Sequence, residues 1–379
     1  MATRKSTSGQ GAQQAHSYVQ MAVTLARQNR FAEAVQAFRQ ASRMDPRNVQ
    51  VQYGLGNCYA AIGDIDNAII AFRQTVELNP EFADAHFRLG SMLSETGQVA
   101  EGFRHYMQRA RLVHGGQKTK LAPVPEPLHK IKHDREQQDY LKARLGHRSA
   151  FHLEEGERIA GPAVNPANTL QAVMQEWRTR APQFVVLDNF LMPEALNKLR
   201  LYCAGSTVWR RIYDAGYIGA TPEDGFAFPL MAQIVEEIRV MFSEILAPHP
   251  FRYMGAFKYD SELSTGTNIH ADNSAVNFNL YVAPDAANLD PESGGMDIWD
   301  VPAPEGEDMR IYNGDETKAR KFLADSKARV TSIPHKANRA ILFKSDMFHK
   351  TADCKFREGY LNKRINISML FGYRGAPTR

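Results

Sequence analysis

Cysteine is scarce in this chain. The 379 residues contain three, Cys58, Cys203 and Cys354, too few and too far apart for a disulfide framework or a cysteine-ligated zinc site. Such sparing use fits a reducing compartment. No apolar run approaches the length of a membrane span, and the opening MATRKSTSGQGAQQ lacks the apolar core of a secretory signal. A cytoplasmic protein is the expectation, with residues 1–14 disordered. A strong charge of one sign is missing as well. The net charge is +4, the pI is near 8.8, and Lys and Arg are scattered rather than gathered into a stripe. Neither nucleic acid nor a membrane is indicated as a partner. The length exceeds what one core usually supports, so two domains are expected.

What is present first is a repeat. AFRQ occurs at 37–40 and again at 71–74, a period of 34. Met21, Leu55 and Leu89 fall on the same lattice, as do Ala22, Gly56 and Gly90, and Leu25, Tyr59 and Leu93. So do Ala34, Ala68 and Gly102, and Phe38, Phe72 and Tyr106, while Pro46 and Pro80 end the first two units. This pattern resembles the tetratricopeptide repeat, in which a small residue lets paired helices cross closely and an aromatic packs on the next unit. Three repeats fill 15–116.

The segment GGQKTKLAPVPEPLHK at 115–130 breaks the helical pattern and marks a boundary. Residues 117–180 read as a linker with connecting helices, in HDREQQDYLKARL and PANTLQAVMQEWRTR. From 181 to 379 a further domain is expected. FVVLDNFL reads as a strand feeding a helix near Pro193, and PLMAQIVEEIRVMFSEIL as one more helix. From YMGAFKYD onward, short β-type runs alternate with Gly, Pro and Asn turns, as in an antiparallel barrel or sandwich.

Within that region stands TNIHADNSAVNFNLYVAP, 267–284. In an extended segment residues i and i+2 point the same way, so His270 and Asp272 project together. Alone they are equally a hydrogen-bonded polar pair at a strand edge. A mononuclear iron centre of the two-histidine, one-carboxylate type needs one more histidine from a distant strand. His349 follows the apolar run 340–343 and a polar turn, and His335, between a proline and a turn, ranks second. Further on, Arg364, Asn366 and Ser368 alternate with Ile365, Ile367 and Met369, which gives one basic and polar face. Arginine pairs with a carboxylate in bidentate fashion. Lys363 is out of phase, and Arg339 is the alternative cation.

His-x-Asp, a distal His and an Arg on the following strand resemble the Fe(II)/2-oxoglutarate-dependent oxygenase superfamily, prolyl-hydroxylase-like branch. The similarity runs from about Val185 to Tyr373 and includes SGGMDIWD, like the Gly-Gly strand entry of such barrels. The join to tetratricopeptide repeats resembles a bacterial group of two-domain oxygenases. One departure is the spacing of fifteen residues from His349 to Arg364, longer than that branch usually shows. The resemblance implies a double-stranded β-helix (jelly-roll) barrel. It also implies Fe(II) on His270, Asp272 and His349, dioxygen and 2-oxoglutarate as cosubstrates, and Arg364 against the distal carboxylate.

Around this core, Asn279 and Ser368 are candidate pocket residues. Tyr259 either gives its hydroxyl to the cosubstrate or is simply a buried tyrosine. Asn277 either lines the pocket or caps a turn, and Trp209, Tyr213 and Tyr217 form either a lid or outer packing. Three functions stand open: a hydroxylase of a protein or peptide recruited by the repeats, an oxygenase of a small metabolite with repeats used for assembly, and a non-catalytic adaptor. An intact ligand set argues against the last. Nothing in the sequence sets the oligomeric state.

Overall fold

The structure is a computed structural model that describes residues 3–116, 126–180, 182–260, 262, 264, 266–304, 306, 308 and 310–374, with side chains from residue 11 onward. The chain divides into two compact units, 1–113 and 114–379. No helix among the described residues is long and apolar enough to cross a membrane.

The first unit is built from six helices in three pairs: α1 (Thr3–Arg27) with α2 (Phe31–Met44), α3 (Val49–Ala61) with α4 (Ile65–Leu78), and α5 (Ala83–Glu95) with α6 (Val99–His114). Each pair turns through one residue with positive φ, and these recur on the repeat lattice: Asn29 at 59°, Gly63 at 77° and Gly97 at 90°. Glycine or asparagine suits that left-handed position. Ala22, Ala34 and Ala68 are fully buried, as the close crossing requires. At Gly56 a Cβ would stand 2.5 Å from the Phe72 ring, so only glycine admits the aromatic there. Asn48 and Asp64 cap the second pair, each accepting a backbone N–H from the first turn of its helix. Of the residues expected to be disordered, 3–14 are helical, since α1 begins at Thr3, and residues 1–2 lie outside the described residues. No proline interrupts Thr3–Gln14, so the helix continues outward with its backbone groups paired internally.

In the second unit, α7 (Leu128–Leu145) and α8 (Leu170–Thr179) precede β1 (Phe184–Leu187), α9 (Pro193–Gly205), β2 (Arg211–Ile212) and β3 (Tyr217–Ala220). Then come α10 (Pro229–Met241), α11 (Ser243–Leu246), β4 (Phe251–Tyr259), β5 (Val276–Tyr281) and β6 (Met296–Pro302). Last are α12 (Arg310–Asn313), α13 (Glu316–Asp325), β7 (Val330–Ile333), β8 (Ala340–Lys344), β9 (Met347–Thr351) and β10 (Arg364–Phe371). The strands form two antiparallel sheets, one of seven strands ordered β1-β8-β5-β10-β4-β3-β2 and one of three ordered β7-β6-β9. A core of Phe184, Tyr281, Met296, Ile298, Ile341 and Phe343 joins residues of both.

Three expectations need correction. The helix read across 229–246 is two, broken at Phe242, whose φ of −110° and ψ of 38° leave the helical region while its ring is buried. A helix, α13, lies inside the region read as strands; Asp315 caps it by accepting the Thr317 N–H. The connecting helices of 117–180 fall within the second compact unit rather than outside it, and the first part of that linker, 117–125, lies outside the described residues.

Candidate metal centre

His270, Asp272 and His349 come together, with one ligand atom from each lying within 4.8 Å of the others. Strand parity within β5 does not produce this, because β5 starts only at Val276. The cause is a two-way bridge: the His270 N–H donates to the His349 carbonyl at 3.0 Å, and the His349 N–H donates to the His270 carbonyl at 2.8 Å. Residues so paired have Cα atoms about 5.5 Å apart and side chains on one face. The ring centroids lie 4.3 Å apart. Asp272 is set by its own N–H, which donates to the Ser345 carbonyl at 2.8 Å in the turn between β8 and β9.

Each ligand is oriented from behind. His270 Nδ1 lies 2.8 Å from the Asn268 carbonyl and His349 Nδ1 2.9 Å from the Met347 carbonyl. With Nδ1–H donated to a carbonyl, Nε2 carries the lone pair and is left to bind an ion. Asn277 Nδ2 donates to Asp272 Oδ2 at 2.7 Å, so its role is to orient the carboxylate. Burial first, then the neighbouring His270, push the His349 pKa down to about 4, which keeps the imidazole in its neutral, ligating form near neutrality. Asn313, at the end of α12, holds the residue between the first two ligands: its Oδ1 accepts from Ala271 N–H at 3.1 Å and its Nδ2 donates to the Ala271 carbonyl at 2.8 Å. Sequence reading missed Asn313, since nothing marks one asparagine in a stretch taken for strands.

These side chains open into a cavity of about 440 Å³ whose floor is β10 and β4. Arg364, Asn366 and Ser368 line it from β10, Asn279 from β5 and Tyr259 from β4. Arg364 is 1% exposed. Its Nε donates to the Gly294 carbonyl at 2.7 Å, Nη1 to Asn366 Oδ1 at 2.7 Å and Nη2 to the Gly295 carbonyl at 3.0 Å, and its guanidinium lies 4.7 Å from the centre of the Tyr259 ring. No carboxylate among the described residues pairs with it. A buried cation without a counter-charge is costly, so an anion would be stabilised in this cavity. Asn279 Oδ1 is buried without a partner, whereas the Tyr259 hydroxyl accepts from Thr351 Oγ1 at 3.3 Å.

The alternative residues are engaged elsewhere. His335 Nε2 sits 3.2 Å from the Ala283 carbonyl, outside the ligand cluster, and Arg339 makes a two-pronged pair with Asp188 at 2.7 and 3.2 Å. Of the three aromatics, Tyr213 and Tyr217 stack at 4.5 Å on the cavity wall, and Tyr217 stacks on Tyr259 at 4.9 Å. Trp209 does not reach it; its indole N–H donates to the Cys203 carbonyl at 2.9 Å within the core.

The tetratricopeptide repeat family model matches residues 19–77 and again 63–113. The N-terminal region carries tetratricopeptide repeats. Among solved structures, the first tetratricopeptide domain of Spaghetti, bound to an HSP90 peptide, is 19% identical and covers 26% of this chain and 79% of its own, with a TM-score of 0.26. The type III secretion chaperone SycD of Yersinia enterocolitica, in complex with a peptide of the translocator YopD, is 18% identical and covers 32% and 84%, with a TM-score of 0.25. MamA is 19% identical and covers 26% and 54%, with a TM-score of 0.26. No curated protein matches the chain. The matched tetratricopeptide segment contains none of the residues of the metal centre.

Proposed function

We propose that the second unit is an Fe(II)- and 2-oxoglutarate-dependent oxygenase that hydroxylates a C–H bond of a protein or peptide recruited by the repeats. The observation that carries this reading is the sharing of one cavity by two imidazoles and a carboxylate with a buried arginine that has no acid partner among the described residues. Two neutral nitrogens and one carboxylate oxygen are the donor set of mononuclear iron oxygenases. The packing of seven- and three-stranded antiparallel sheets on a common core supports a jelly-roll barrel.

Fe(II) held by His270, Asp272 and His349 would supply dioxygen activation, with the balance R–H + O₂ + 2-oxoglutarate → R–OH + succinate + CO₂. The chain's own residues bind and orient. Arg364 spends three of its five N–H groups on the bonds above, and the other two, beside the Tyr259 and Tyr281 hydroxyls, would meet one carboxylate of a dicarboxylic acid. Asn279 offers a polar group beside it, and the Tyr213–Tyr217–Tyr259 stack walls the cavity against water. The repeats at 19–113 favour a polypeptide substrate over a small metabolite, because stacked helix pairs present an extended surface suited to a chain.

The test is incubation of the full chain with Fe(II), 2-oxoglutarate, dioxygen and candidate peptides, followed by succinate assay and mass spectrometry. Succinate formation with an added oxygen on one peptide is expected, and Asp272→Ala is expected to abolish both. Activity that persists in Asp272→Ala would sink the reading.

A further inference from the structure

On the opposite face of the seven-stranded sheet lies a second cavity, also about 440 Å³. Alternation separates the two: Phe257, Tyr259 and Arg364 face the metal centre, whereas Lys258 and Ile365 face this one, across from α9. Its walls are mainly apolar, with Leu201, Val282, Ala283, Pro284, Leu361 and Ile365. Leu201 and Leu361, 44% and 59% exposed, are apolar residues at its rim.

Among the described residues no Asp or Glu lines this cavity, yet Arg200, Lys258 and Lys363 do. Lys363 is committed to Asp260 and Glu136. Arg200 Nε donates to the Val282 carbonyl at 2.8 Å, and no carboxylate among the described residues is within ion-pair distance; Asp285 attracts it from farther off while accepting the Ala337 N–H. Lys258, 2% exposed, has uncharged groups in contact with its ammonium: His133 Nε2 at 3.3 Å, the Cys203 carbonyl at 3.3 Å and the Tyr360 hydroxyl at 3.4 Å, with the Trp209 and Tyr360 rings at 4.2 and 4.4 Å, while Glu136 and Asp134 attract it and Lys363 repels it from farther off. Two basic groups with no carboxylate in ion-pair contact among the described residues thus border an apolar chamber. A ligand that brings a negative charge and an apolar body relieves both the charge and the exposed walls.

We propose that this cavity binds an amphipathic carboxylate of medium chain length, its head group toward Arg200 and Lys258 and its chain along the apolar walls. The metal-centre reading plays no part in this, and the test uses no metal. Calorimetric titration of the full chain with decanoate is expected to show one saturable site per chain. Decanol, which lacks the charge, is expected to bind at least about tenfold more weakly, and decyltrimethylammonium more weakly still. Arg200→Gln is expected to weaken decanoate by about tenfold or more. Leu201→Glu should do the same from an exposed position that leaves the fold untouched, while Arg364→Gln, on the other sheet face, leaves the affinity unchanged. Absence of decanoate binding, equal affinity for decanol, or loss in Arg364→Gln with retention in Arg200→Gln would each overturn the proposal.

Discussion

Arg364 and Lys258 are both buried cations on neighbouring strands, and they call for opposite experiments. Arg364 is surrounded by acceptors that fix its plane but do not neutralise it. In the proposed oxygenase, replacing it with glutamine would remove the charge offered to the cosubstrate and leave His270, Asp272 and His349 in place. The KM for 2-oxoglutarate should then rise roughly thirtyfold or more, from a loss on the order of 2–5 kcal/mol, while Mn(II) binding followed by calorimetry stays the same. Unchanged KM would move the anion anchor elsewhere. Lys258 is held down to a pKa of about 7, first by burial. Its folded pKa lies below the ordinary lysine value of about 10.4, so between those two values the unfolded chain binds more protons and stability rises with pH. Below about pH 7 the penalty for burying the ammonium is complete. Lys258→Met removes that penalty, so it should raise the melting temperature by roughly 2–4 °C or more at pH 6 and by progressively less toward pH 9.5. An increment that did not shrink with pH would show that the ammonium is not destabilised by its surroundings.

Among the elements, β6 is the one whose entry admits no side chain. A Cβ on Gly295 would stand 1.9 Å from the Ile333 carbonyl oxygen and 2.7 Å from the Pro334 carbonyl carbon, both backbone atoms that cannot swing away. The Gly295 carbonyl also accepts from Arg364, so β6 must pull away from β7 and release the arginine together. Gly295→Ala should cost about 3 kcal/mol or more in chemical denaturation and weaken 2-oxoglutarate binding. Gly161→Ala, where a Cβ meets nothing within 4 Å, should stay within about 0.5 kcal/mol of the parent. The Gly-Gly step was legible in the sequence, as was the lattice of small and aromatic residues in the repeats, because both are local patterns. His270, Asp272 and His349 were legible as candidate residues, and the fold brings them together. The bridge that joins two of them was not legible, because it depends on a partner far along the chain. The Asn313 clamp and α13 were hidden for a related reason: short helices between strands carry little periodicity, and the Asp315 cap is a weak local signal.

At the scale of the whole chain, the two units allow the role of the repeats to be tested by removal. On the proposed function, deleting residues 1–113 should leave the second unit folded and able to consume 2-oxoglutarate, since His270, Asp272, His349 and Arg364 all lie in 114–379. The KM for the polypeptide substrate should rise, because binding energy from a remote module lowers KM. Equal KM values in a folded truncation would mean that the repeats serve a partner other than the substrate. The bridge between His270 and His349 also bears on how the chain reaches its native state. The strands β5 to β8 lie between its two ends, so it closes a long loop, and such distant pairings are slow to form. An ion that needs both histidines can bind only once this bridge is made, and we expect that step to follow the folding barrier. It should therefore lengthen the lifetime of the native state by slowing unfolding, and leave the refolding rate as it is in the metal-free chain.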